Sequence, residues 1–245
     1  MKNTFNEKKY WIDRLKRAGN SLQGVGHKRF SQKTNMLMYK KVIDTLSSIL
    51  KNKKINLKNT IILDAGAGIG VYAKFYLEKK AKIVATDISS DALMVLKKTF
   101  PNVKTIVSDL DQLDKKVSGK FYIVHCFDVL FHLLSDKDWK RGIKNLARKS
   151  NKYIIIHDKV PFWGDKLFSQ GYIKIRNHNK LSKELKMNGF KEIGYYPTHI
   201  LFIRPPIHLL TALFPNFFFW LDNLLIKKFR LNGVETSGIS IFEKI

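Results

Sequence analysis

The stretch "LDAGAGIG", residues 63–70, follows Ile61 and Ile62 and runs into a segment with helical spacing. Glycines this dense, directly after a short apolar run, leave main-chain N–H groups open to a ligand, and the start of the next helix favours an anionic or polar group there. Outward from this point, short apolar runs alternate with helical ones: 61–63 then 71–79, 83–85 then 91–99, 104–107 then a short polar segment, and 122–127 then 136–149, with 153–157 closing the series. Parallel strands need crossover connections, so the series predicts a doubly wound, Rossmann-like α/β sheet covered on both faces. After residue 157 the pattern changes to a loop rich in glycine and aromatics at 161–172, a helix over 179–188 stopped by Gly189, a strand over 192–203 and a last strand over 238–244. The result is a seven-stranded, mostly parallel sheet.

A chain of 245 residues reads as one domain. Its expected parts are an N-terminal helical lid (1–58), a ligand-binding core (59–203), an apolar helical insertion (204–236) and the last strand (237–245). The lid holds two amphipathic helices, 7–17 and 35–51, the second with Met36, Tyr39, Val42, Ile43, Leu46, Ile49 and Leu50 at spacings of three and four. Gly24 and Gly26 mark the loop between them. In the insertion, the 17 residues 205–221 include no Asp, Glu, Lys or Arg, but Pro215-Asn216 breaks the run and Asp222-Asn223 follows it. That is too short and too interrupted to span a membrane. It reads as a helical pair covering a pocket. The alternative is an interfacial segment that places Phe217, Phe218, Phe219 and Trp220 in a membrane surface beside Lys227, Lys228 and Arg230.

The formal net charge is +25, from 45 basic and 20 acidic residues. Such an excess attracts anionic partners. The basic residues, however, are 37 Lys and only 8 Arg, scattered through nearly every segment. Phosphate-gripping surfaces tend to cluster Arg, so the scatter reads as solvated faces rather than a nucleic-acid footprint. One cysteine, Cys126, excludes an internal disulfide and a multi-cysteine zinc site, and its place in an apolar run reads as a buried strand thiol. The sequence "MKNTFNEKKYW" has no apolar signal segment, so the expected location is cytoplasmic, at most peripheral to a membrane.

The glycines at 66, 68 and 70 are spaced G-x-G-x-G, not the G-x-G-x-x-G of dinucleotide enzymes, and Asp64 stands two residues before the first. Asp87, 21 residues beyond Gly66, sits where an acid takes the ribose hydroxyls of an adenosine-containing cofactor. Taken alone, each acid is equally a turn or helix-cap residue. Together, D-x-G-x-G-x-G, "IVATDIS" (83–89) and "VSDLDQL" (107–113) resemble three successive motifs of the class I S-adenosylmethionine-dependent methyltransferases. The resemblance implies that Asp64 and the loop of Gly66, Gly68 and Gly70 receive the methionine end of S-adenosylmethionine. By the same resemblance Asp87 with Ile88 holds the ribose, Asp109 and Leu110 hold the adenine, and Phe127 borders the cofactor.

At the fourth strand end, "VHCFDVLFHLL" (124–134) carries neither the Asn/Asp-Pro-Pro-aromatic motif of base-amine methyltransferases nor a Pro-Cys pair. It resembles the corresponding segment of small-molecule O- and N-methyltransferases. Asp128 and His132 are four residues apart and are expected to meet on one turn, with His132 as general base. The fifth strand, in "IIIHDKVPFW" (154–163), brings His157 as a further catalytic candidate and Asp158 as a substrate contact. Asp128 with Asp158 is the one pair considered for a divalent metal, and no metal is expected. The segment "YWIDRLKRAGNSLQGVGHKRFSQKTNMLMYKK" (10–41) resembles the leading segment of a group of uncharacterised microbial methyltransferases, which implies lid or substrate roles for Trp11, His27, Arg29 and Tyr39. The expected activity is methyl transfer to an oxygen or nitrogen of a small-molecule, sugar or lipid-linked acceptor, with peripheral membrane contact as a further expectation. The alternatives are an RNA methyltransferase and a non-catalytic cofactor-binding partner subunit.

Overall fold

The structure, a computed structural model, describes residues 6–19, 21–161, 164–167, 173–203, 207–228 and 236–245. Three helices lead, α1 (Glu7–Ala18), α2 (Leu22–Val25) and α3 (Gln32–Asn52). Then come β1 (Ile61–Ala65), α4 (Ala73–Glu78), β2 (Lys82–Asp87), α5 (Ser90–Thr99), β3 (Lys104–Val107), α6 (Leu113–Lys116) and β4 (Phe121–Phe127). A 3-10 turn at Leu130–His132 leads into α7 (Asp136–Lys149) and β5 (Ser150–Val160). A two-strand hairpin, β6 (Lys166–Leu167) with β7 (Lys174–Ile175), precedes α8 (His178–Met187) and β8 (Phe190–His199). The chain ends with α9 (His208–Leu213), α10 (Pro215–Lys228) and β9 (Thr236–Lys244).

The main sheet has seven strands in the order β3-β2-β1-β4-β5-β9-β8. The first five are parallel, and β9 runs antiparallel to both β5 and β8. Alternation along each strand fills both faces: Ile62, Ile83, Ile123 and Ile155 join the core under α3, α4 and α5, while Leu63, Val124, Ile154 and Ile156 join the core under α7 and α8. Strand order reverses between β1 and β4, and the crevice outside their carboxyl ends is where such sheets take ligands.

Three boundaries differ from the sequence reading for local reasons. β5 runs from 150 to 160 because β9 pairs with it as far as Val160↔Thr236, three residues beyond the Phe127↔His157 pair that ends its contact with β4. β8 stops at His199, not 203, because the next two amides leave the sheet: Ile200 N and Leu201 N donate to the buried Asp222 carboxylate of α10 at 3.0 and 2.8 Å. The expected loop at 161–172 contains β6, too short to leave a pattern; residues 162–163 and 168–172 lie outside the described residues, as do Pro205 and Arg230 of the insertion.

Asp222, which interrupts the apolar run in sequence, is therefore the tether of the insertion. On the outside, α9, α10 and the residue between them expose Leu209, Leu213, Phe214, Phe217, Trp220 and Leu224. Among the described residues no helix is long and apolar enough to cross a membrane.

Candidate active site

The carboxyl ends of β1 to β4 open onto a cavity of about 250 Å³, and the lid helices cover it. Gly66 and Gly68 turn with φ of 88° and 53°, conformations that suit glycine. A Cβ at Gly66 collides with the Val129 side chain, and one at Gly68 lies 2.7 Å from Val25 of α2. The loop is thus pressed between the β4 turn and the lid, with its backbone facing the cavity. Gly70 does not line the cavity; a Cβ there lies 2.8 Å from Leu96, so this glycine lets α5 pack against the loop.

Acids surround this space. Asp64 is buried, and its Oδ2 has no hydrogen-bond partner. Burial, helped by the nearby Asp87, pushes its carboxyl up to about 7. His125 Nδ1 is 3.6 Å from Asp64 Oδ1, but burial lowers that imidazole to about 3, so it is neutral and does not balance the acid. Asp87 accepts Gly68 N at 2.8 Å and Ser89 N at 2.9 Å; burial raises its carboxyl, and these N–H groups oppose the rise. Asp109 accepts Gln112 N at 2.7 Å and is bridged by Lys8, which reaches over from α1. Burial raises the Asp109 carboxyl, yet the Lys8 and Gln112 donors together bring it below the usual carboxylate range. Ile88, Leu110 and Phe127 supply apolar lining. An orphaned buried carboxylate oxygen and a glycine cradle that tolerates no Cβ fit a cofactor with a cationic amino-acid end at Asp64 and an adenosine along Asp87 and Asp109.

A second cavity, of about 280 Å³, adjoins the first. Trp11, Val25, Tyr39, Tyr72, Asp128 and His132 line both. Their placement follows from local structure. Arg14 Nη2 donates to the Gln23 and Gly26 carbonyls at 2.7 and 2.5 Å, fixing α1 to α2, and its guanidinium lies 4.7 Å from the Trp11 ring centroid. The buried Asn35 amide accepts His27 N at 2.8 Å and donates to the His27, Phe30 and Ser31 carbonyls, which shapes the loop carrying His27 and Arg29. Both of those residues line the second cavity.

Asp128 follows β4 with φ of 59°, a left-handed conformation that Asp tolerates better than most residues. Its Oδ1 lies 2.9 Å from His157 Nδ1, and His157 Nε2 lies 2.9 Å from the Thr198 hydroxyl. Burial raises the Asp128 carboxyl, but His157, Lys159 and His132 together pull it below its usual value. The hydrogen-bonded pair at Asp128 is thus made with His157 of β5. His132 packs edge-on against Trp11 at 4.4 Å and joins the wall between the cavities.

Asp158 lines neither cavity. It follows His157 on a strand, so its side chain leaves from the opposite face; burial pushes its carboxyl up to about 8. Among the described residues no group of three or more His, Cys, Asp or Glu gathers to hold a metal. Residues absent from the sequence reading are Lys8, Tyr72, Thr198, Lys159 and His208. Tyr72 had a usable signal, since it stands two residues after the glycine loop, and its buried hydroxyl has no partner.

Residues 62–152 match a family model described as a methyltransferase domain. No curated protein matches the chain in sequence. Among solved structures, the magnesium protoporphyrin IX methyltransferase of Synechocystis, crystallised with S-adenosylmethionine bound, superposes with a TM-score of 0.66 at 18% identity, covering 100% of both chains. An S-adenosylmethionine-dependent methyltransferase from Clostridium acetobutylicum gives 0.60 at 12% identity, over 84% of this chain and 92% of that one. A 4+2 cyclase gives 0.56 at 13% identity, over 82% of this chain and 81% of that one. At such identities the likeness is one of fold, and function has to be argued from the site.

Proposed function

We propose that this chain, which carries a class I S-adenosylmethionine-dependent methyltransferase domain, methylates an oxygen or nitrogen of a small-molecule, sugar or lipid-linked acceptor held in the second cavity. The observation that supports this reading is the wall shared by the two cavities, where Trp11, Tyr39, Tyr72, Asp128 and His132 face both. Asp64 and the 66–68 loop receive the amino-acid end of the cofactor, Asp87 the ribose, and Asp109 with Leu110 the adenine. The cofactor supplies a methyl group on a sulfonium, an electrophile that needs alignment and exclusion of water more than acid catalysis. Trp11, Tyr39 and Tyr72 provide the dry wall. His132 takes the proton that the acceptor atom gives up, and Asp128, fixed by His157, stabilises the resulting imidazolium.

The test is calorimetry with S-adenosylmethionine and with NAD, followed by transfer of a labelled methyl group to fractionated small molecules. Asp87→Ala is expected to weaken S-adenosylmethionine binding by about 100-fold, since it removes a ribose acceptor and the anchor of Gly68 N. An unchanged affinity, or preference for NAD, counts against the assignment. The exposed apolar row on α9 and α10, on a chain of net charge +25, supports peripheral contact with an acidic bilayer as part of the same proposal. Flotation with anionic liposomes checks it: Trp220→Ser is expected to lower the bound fraction, and equal flotation of both proteins removes the idea.

A further inference from the structure

A set of polar groups sits inside an apolar layer beneath the glycine loop, and the sheet register places it there. On one face of the β1 and β4 pair, Ile62 stands opposite Ile123, and two residues further on Asp64 stands opposite His125. Tyr72 and Tyr76, four residues apart where α4 begins, close over that pair, their rings edge-on to His125 at 5.0 and 5.4 Å. Asp64 Oδ2, both ring nitrogens of His125 and both tyrosine hydroxyls are buried, with no hydrogen-bond partner among the described residues. Unmatched buried polar atoms are costly, and here the cost falls on the empty fold. We propose that His125, with Tyr72 and Tyr76, is the positioning set for Asp64: its ring N–H turns onto the carboxylate and holds it toward the cationic end of the cofactor. The proposal rests on the methyl-transfer reading and adds residues that act on the cofactor through Asp64.

The chemistry of the three side chains suits this task. Burial, and then His157, hold the His125 imidazole down to about 3 against the pull of Asp128, so the ring is neutral. A neutral imidazole has one N–H to give. Burial, and then charges that include Asp64, push both phenols up, so each keeps its O–H. Asp87, on β2, is a like charge that opposes ionisation of Asp64. An acid that receives a cationic ligand is best steadied by donors without charge: a fixed cation competes with the ligand, whereas an N–H or O–H stabilises the carboxylate and leaves its charge for the ligand to meet. The 3.6 Å between His125 Nδ1 and Asp64 Oδ1 is too long for a hydrogen bond, and a small rotation of either side chain closes it.

Calorimetry with S-adenosylhomocysteine across the neutral range reads Asp64 through the pH at which affinity levels off, about 7 in the native chain. His125→Phe keeps a ring among the surrounding rings and removes the N–H. The levelling point is expected to rise by about one unit, with affinity at neutral pH down about fivefold. Tyr76→Phe is expected to move it the same way by about half as much, and His125→Gln, which restores an N–H donor, to bring it back. A lower melting temperature with an unmoved levelling point assigns His125 to packing alone and overturns the proposal. Nitrogen NMR of the histidine-labelled complex gives a second reading: the His125 proton is expected on Nδ1, and a proton on Nε2 overturns the proposal as well. If His125→Phe does not fold, the Tyr76→Phe shift and this proton decide. A native chain that ignores S-adenosylhomocysteine overturns the methyl-transfer reading instead. The empty protein then still decides the positioning: its stability should fall as pH rises toward about 7 and level off above it, and the levelling point should move up in His125→Phe or, failing that, in Tyr76→Phe. An unmoved point there overturns the proposal.

Discussion

The two adjoining cavities are opposite in charge. Among the described residues, Asp64, Asp87, Asp109, Asp111, Asp128 and Asp138 line the first, with Lys8 as the one Lys or Arg, whereas Arg14, Lys28, Arg29 and Lys159 line the second beside one carboxylate, Asp128. Asp128 belongs to both. The acidic side suits a ligand that is cationic before the reaction, and it holds the neutral product less strongly once the positive charge has left. The basic side suits an electron-rich acceptor. Selectivity and turnover thus divide between two fields that meet at one wall.

The hardest blow to this division is expected at the wall itself. His132→Asn should lower methyl transfer by about 10² to 10⁴-fold while leaving cofactor affinity in place; a drop in affinity of the same size would move His132 from the acceptor side to the cofactor side. A smaller effect, confined to the acidic cavity, comes from Asp64. Its carboxyl in the empty fold stands at about 7, above its unfolded value, so the empty protein loses stability as pH rises through that point. A bound cation favours the ionised form. Affinity should therefore climb with pH up to about 7, by at most about tenfold per unit, with proton release on binding, and level off above it. Asp64→Asn should flatten the profile and weaken binding about tenfold above pH 7. Calorimetry in buffers of different ionisation enthalpy at pH 6 and 8 checks both, and an unchanged slope in the Asn variant would assign the proton elsewhere. The smallest change is expected for Lys8→Gln. Lys8 is 65% exposed, so its bridge to Asp109 contributes little, and cofactor release should quicken by no more than about threefold, less at high salt. Stopped-flow chase experiments read that rate, and a tenfold change would make α1 a true gate.

The acidic cavity was largely legible in the sequence, and the basic one was not. Asp64, Asp87 and Asp109 end consecutive strands, and strand ends of a doubly wound sheet converge by topology, so spacing along the chain was enough to gather them. The second cavity takes its Lys and Arg lining from residues 14, 28, 29 and 159, which only tertiary packing brings together. An even scatter of 37 lysines gives no hint of which few converge. The same holds for Asp128, His157 and Thr198, which lie on three chain segments and meet only because β4, β5, β9 and β8 lie side by side in the sheet. Lys8 and Asp109 are 101 residues apart. In the insertion, apolar residues stand on every side of the helices, so no period told the buried side from the exposed one.

Cys126 is the penultimate residue of β4, with none of its surface exposed, and burial pushes its thiol well above the usual value. As the chain's single cysteine, it gives a built-in clock for opening of the sheet. The rate at which a thiol reagent modifies the native chain measures how often β4 separates from its neighbours. Filling the adjoining cavities should slow that clock in proportion to the ligand's hold on the folded state, so one chemical group reports on both sites without a label being added.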